Sequence, residues 1–194
     1  MGYVKKKIKE LIKESGSKNK ARSTAEAWFK ESIKSRYLNE VMHTSGRFEP
    51  GKIYVFDYKP STIDLPWFDK NPVVLSIGSK GENDLGVNLN LLPIPVKEKL
   101  LDDLYNKMEA QIKSANTGSG RENALRQSPL KITYEGMSTY LKQFGCDFAI
   151  RQYIPSGKSR QNVVTYSKWP DIALCDFIEL NGTTIAEIRR LFFS

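Results

Sequence analysis

Histidine and cysteine are nearly missing from this chain of 194 residues: His43 stands alone, and Cys146 and Cys175 are the only thiols. Zinc ligands come in closely spaced pairs and a disulfide framework needs several bridges, so two isolated cysteines read as reduced, buried thiols. A Ser-His-Asp triad would have to use His43, which reads as lying near the end of a helix in a polar stretch, and no Gly-x-Ser-x-Gly elbow is present. Metal-dependent nuclease chemistry needs converging carboxylates. Asp57, Asp64 and Asp69 fall in different local settings, Asp102 and Asp103 sit side by side on a helix, and no Asp-x-n-Glu-x-Lys core follows a strand. Glu82, Asn83 and Asp84 supply too few oxygens for a calcium loop, and Gly118 and Gly120 lack the Gly-Lys-Ser/Thr of a phosphate loop. No enzyme activity, cofactor, metal or small-molecule ligand is therefore expected. Long apolar runs are missing too: nothing approaches the roughly 18 residues that span a bilayer, and residues 4–10 are charged where a targeting segment is apolar, so neither signal peptide nor membrane is expected.

What the chain does have is positive charge, unevenly placed. The formal net charge is +8, and residues 1–22 hold Lys5, Lys6, Lys7, Lys9, Lys13, Lys18, Lys20 and Arg22 against Glu10 and Glu14, a local +6. A basic segment joined to a nearly neutral body is an electrostatic handle for a polyanion, because phosphate contacts release counterions and need no base-specific geometry. A solvated helix face explains the same lysines equally well. Val4, Ile8, Leu11 and Ile12 recur at helical spacing, predicting an amphipathic helix over residues 3–14 with lysines opposite the apolar stripe, ended by Ser15, Gly16 and Ser17.

A second helix is predicted from Ser23 or Thr24, presenting Trp28, Phe29, Ile33, Tyr37 and Val41, with Lys30, Lys34 and Arg36 on flanking faces that extend the basic surface. The pattern then turns to strands at residues 53–58, 73–77 and 87–90, with residues 78–84 as a polar turn. Pro66 and Pro72 frame Trp67, Phe68 and Asp69, which makes a rigid loop. Trp67 and Phe68 are partner-contact candidates on that loop, the alternative being rings that cap the sheet's own core. A third helix is predicted over residues 96–112, a polar loop over 114–126, a strand at 130–134, a helix at 140–153, a strand at 162–166, a helix at 169–177 and a final helix after Asn181 and Gly182. Leu191, Phe192 and Phe193 would be costly in water and are expected against the body or a neighbouring subunit. The fold class is α+β: a small antiparallel sheet or partial barrel packed with several helices, with residues 1–22 as a basic N-terminal helical arm and 23–194 as one domain.

Several blocks occur in a telling order: Trp28-Phe29-Lys30, then Gly51 with the strand through Tyr58, then Leu65-Pro66-Trp67-Phe68-Asp69-Lys70-Asn71-Pro72, then Gly86-Val87-Asn88-Leu89-Asn90-Leu91-Leu92-Pro93, then a helix. Later come Ile132-Thr133-Tyr134, Ile150-Arg151-Gln152-Tyr153-Ile154 and Trp169-Pro170-Asp171-Ile172-Ala173-Leu174. The series resembles the DNA end protector-like group of tailed-bacteriophage virion proteins, of the contractile-tailed T-even and cyanophage type. Two positions depart from that pattern: Asn90 stands where the group has His, and Asn71 where it often has a bulky apolar residue. The resemblance implies a virion protein assembled in the host bacterial cytoplasm, binding non-specific duplex DNA at packaged ends or the head-to-tail region and touching other virion subunits. A purely structural baseplate, neck or tail subunit is the alternative, and a head-completion nuclease a third reading.

Overall fold

The computed structural model describes residues 2–34, 41–43, 46–60, 68–114, 130, 132–176, 180–181, 184, 187 and 190. The elements are α1 (Tyr3–Ser15), α2 (Lys18–Lys34), β1 (Val41–His43), β2 (Ile53–Tyr58), β3 (Phe68–Asp69), β4 (Val73–Lys80), β5 (Asn83–Asn88), α3 (Ile94–Ser114), α4 (Tyr134–Lys142), β6 (Ile150–Tyr153), β7 (Lys158–Val164), α5 (Trp169–Leu174) and β8 (Leu180–Asn181). Six strands form one open antiparallel sheet in the order β1-β7-β2-β4-β5-β6, and β3 pairs with β8 in a separate ribbon. The α+β class holds, with a sheet twice as wide as the three strands read from residues 53–90. Its inner strands are six to eight residues long, whereas the outer β1 and β6 have three and four.

Both faces of the sheet are buried. Ile53, Val55, Val73, Leu75, Ile77, Leu85, Val87 and Val164 face the helices and share one core with Phe29, Leu101, Met108, Leu141 and Trp169. Tyr54, Phe56, Tyr58, Val74, Tyr153 and Val163 form a second core with Phe48, whose ring stacks on Tyr54 at 4.2 Å. β2 feeds the two cores with alternate residues, which is why it reads as an unbroken aromatic and β-branched run. Gly86 allows the close approach of β4: a Cβ there would lie 2.2 Å from Val74 Cγ1 and 2.9 Å from the Leu75 carbonyl.

Local geometry corrects several boundaries. The turn read at residues 78–84 shrinks to 81–82, because Gly78, at φ +120°, absorbs a bulge and lets β4 run on to Lys80. α2 starts at Lys18, not at Ser23 or Thr24, because the Ser17 hydroxyl accepts from the Lys20 N–H at 3.2 Å and caps the helix earlier. Residues 130–134 hold no strand among those described. Thr133 instead caps α4, accepting from the Gly136 N–H at 3.2 Å. The helix expected at 140–153 ends at Lys142. Gly145, at φ +63°, turns the chain, and β6 follows. His43 lies in β1, opposite Asn162, instead of near a helix end. The final helix falls largely outside the described residues.

Candidate nucleic-acid interface

The lysines of α1 stand on a helix that is fastened to the body. Val4 and Ile8 are buried in the main core, and the Tyr3 ring stacks on Tyr105 of α3 at 4.1 Å. The first turn of α1 carries no acidic residue of its own, an unfavourable arrangement beside the positive end of the helix dipole. Asp102 of α3 supplies the missing carboxylate, accepting from the Lys5 N–H at 3.2 Å. Its carboxylate packs against Gly2, so a larger residue there would make the Asp102 side chain shift. At the other end Gly16, at φ +77°, closes the helix with an N–H to the Lys13 carbonyl. Residues 22 and 23 both lie inside α2, whose Ala21, Ala25 and Phe29 are buried.

This docking sorts the basic residues. Lys5, Lys6, Lys9 and Lys13 are exposed, and Lys5, Lys9 and Lys13 repeat at every fourth position as one stripe turned away from Val4 and Ile8. Lys7 lies on the other side and pairs with Glu10 at 2.7 Å. That hydrogen bond raises the lysine and lowers the carboxyl from their ordinary values. On α2, Lys18 approaches Glu98 at 4.0 Å, Lys20 and Lys30 are exposed, and Arg22 is partly buried. Lys34 closes α2, while Arg36 lies outside the described residues.

Phe68 is half-buried, with its ring edge-on to Tyr58 at 6.5 Å. Trp67, Leu191, Phe192 and Phe193 lie outside the described residues. Asp57, Asp69 and Asp84 are each held in hydrogen bonds or ion pairs. Asp69 is buried and accepts from Asn71 N at 3.1 Å, Asn90 Nδ2 at 2.9 Å and Asn88 Nδ2 at 3.2 Å. Asp57 accepts from Asn71 Nδ2 at 3.0 Å and pairs with Arg160. Asp84 pairs with Lys158, both side chains wholly buried, while its other oxygen accepts from the Phe48 N–H at 3.1 Å and the Lys158 ammonium lies 3.9 Å from the Phe48 ring centre. Among the described residues no three His, Cys, Asp or Glu side chains gather as metal ligands, and Asp64 lies outside them.

Sequence reasoning missed these networks. The amides of Asn88 and Asn90 carried the available signal: two amides in an apolar segment need a buried acceptor. It also missed Arg160, whose φ of +50° makes it the single non-glycine residue in the left-handed region among those described.

The fold is thus a two-core α+β domain with a cationic helix set along one side. The sequence profile described as Phage T4 terminal DNA protecting protein matches residues 2–178, and the chain belongs to that family. No curated protein and no solved structure matches it.

Proposed function

We propose that this protein binds the ends of linear duplex DNA in a phage particle, through the lysine face of α1 and α2, and shields them from exonucleases without itself acting as an enzyme. The carrying observation is the docked stripe of Lys5, Lys9 and Lys13, supported by family membership. Four residues of helix rise about 6 Å, so the stripe spans about 12 Å, a run of three or four phosphates on one strand. Lys6, Lys7, Lys18, Lys20, Arg22, Lys30, Lys34 and Arg36 widen the field around it. Contacts of this kind position a protein on DNA without reading sequence. Trp67, Phe68, Leu191, Phe192 and Phe193 are assigned to neighbouring virion subunits, the half-buried ring of Phe68 leaving one side for a partner.

The test is exonuclease protection. Linear duplex incubated with the protein should resist end-dependent digestion at low salt and lose that resistance as salt rises, irrespective of sequence. Unprotected ends at saturating protein, combined with recovery of the polypeptide solely in tail fractions of the particle, would favour a structural tail subunit. Incubation with magnesium or manganese should cleave neither linear nor single-stranded DNA. Cleavage abolished by Asp57→Asn or Asp69→Asn would overturn the non-enzymatic reading.

A further inference from the structure

The end of the sheet where β2 leaves and β7 enters carries a residue that its backbone does not favour. β2 and β7 are in register from Ile53 to Val55 and again from Asp57 to Tyr58, and between them β7 has the extra residue of a bulge. Arg160 sits in that bulge at φ +50°. Glycine is the usual occupant of a left-handed bulge position, because it has no Cβ to clash there. A non-glycine residue kept in such a conformation points to a demand on its side chain.

The Arg160 guanidinium is half-exposed and anchored on one side by Asp57, which is itself held by the Asn71 amide. The guanidinium carries five N–H donors in a planar fork, and about half of its side chain stays open to solvent beside that contact. Backbone bonds bring two more cationic residues to the same end of the sheet. Tyr58 N–H donates to the Lys70 carbonyl at 2.9 Å, and Lys59 N–H donates to the Gly157 carbonyl at 2.8 Å. Lys59 and Lys70 are both exposed. Lys158, one strand position away, is turned into the core onto Asp84, so it adds nothing to this surface.

We propose that Arg160, with Lys59 and Lys70, binds a phosphate group, and specifically the terminal phosphate of a DNA duplex. An anchored guanidinium with two lysines at the same end of the sheet suits a compact anion with several acceptor oxygens. A terminal monoester carries close to two charges near neutral pH and offers three acceptor oxygens, against one charge on an internal diester. The inference rests on the reading of the chain as a duplex-end binder and gives that reading a second contact, separate from the α1 stripe.

Four probes separate the sources of phosphate: a blunt duplex with 5′-phosphates, the same duplex with 5′-hydroxyls, a dumbbell duplex closed at both ends, and inorganic phosphate as competitor. Anisotropy titrations with the full-length protein should show the phosphorylated duplex preferred over the hydroxyl form by about tenfold, the usual return on one added charge-assisted contact. Arg160→Gly and Arg160→Asn both tolerate the left-handed backbone. Each should remove the preference while leaving dumbbell affinity and the melting temperature unlowered, and Lys59→Gln should reduce the preference in part. Inorganic phosphate should compete with the phosphorylated end alone. Retention of the preference in both Arg160 variants would show that the residue only braces the bulge. Equal binding of the two open duplexes by the parent, with the dumbbell bound more weakly, overturns this inference alone, whereas equal binding of the dumbbell, or failure to bind any of the three, overturns the duplex-end reading with it.

Discussion

Replacing Lys5, Lys9 and Lys13 together by Gln probes the interface without disturbing the fold. All three side chains are exposed and carry no ion pair closer than 4.0 Å among the described residues, so the change should alter stability by no more than about 0.5 kcal/mol. If each lysine neutralises one phosphate, the slope of log affinity against log salt should fall in magnitude by roughly 0.9 per residue, about 2.7 in all. Between 50 and 200 mM salt the parent should then lose about 40-fold more affinity than the triple variant. Fluorescence anisotropy on a 20-base-pair duplex at four salt concentrations measures it. An unchanged slope in a folded triple variant would refute the argument. Deleting residues 1–22 is not an equivalent test. It removes Val4 and Ile8 from the main core at about 1.5 to 3 kcal/mol each, along with the partner of Asp102, and marginal stability is only about 5 to 15 kcal/mol in total.

Three further outcomes follow from the packing. Asp84→Ala should cost about 3 to 5 kcal/mol in urea unfolding by leaving the Lys158 ammonium buried without its counter-ion, and adding Lys158→Met should recover most of that loss. Gly86→Ala should cost about 1 to 3 kcal/mol, since its methyl would overlap Val74 and the Leu75 carbonyl. Burial pushes the Tyr54 phenol up to about 12 and raises Tyr58, Tyr140, Tyr153 and Tyr166 as well. Folding therefore disfavours the phenolate, and the stability these groups contribute is intact below pH 10 and drains away as pH climbs towards 12. Tyrosinate absorbance and circular dichroism should accordingly change together on alkaline titration, and independent transitions would contradict the buried placement.

The elements legible in the sequence were those decided by residues close together in the chain. Ile53–Tyr58 alternates between two cores over six residues, and the stripes of α1 and α3 repeat at helical spacing, so their bounds were placed within two residues. The sheet's width was not legible, because β6 and β7 join it through partners more than sixty residues away in the chain. Gly78 looked like a turn and is a bulge, a difference that only the facing strand decides. Of the candidate interface, the charge was plain from composition. Its presentation was not, because the carboxylate that caps α1 comes from Asp102, 97 residues from Lys5.

The taper of the sheet bears on how the protein behaves when many copies are crowded together. A long open strand edge is a template on which another chain can add, and the route by which sheets grow into fibres. Here the long strands are all interior, and the outer positions fall to β1 and β6, with three and four residues. β6 also carries Arg151 and Gln152 at its centre. Among the described residues the outermost strands thus offer only short backbone edges, which lowers the drive towards polymerisation at high local concentration.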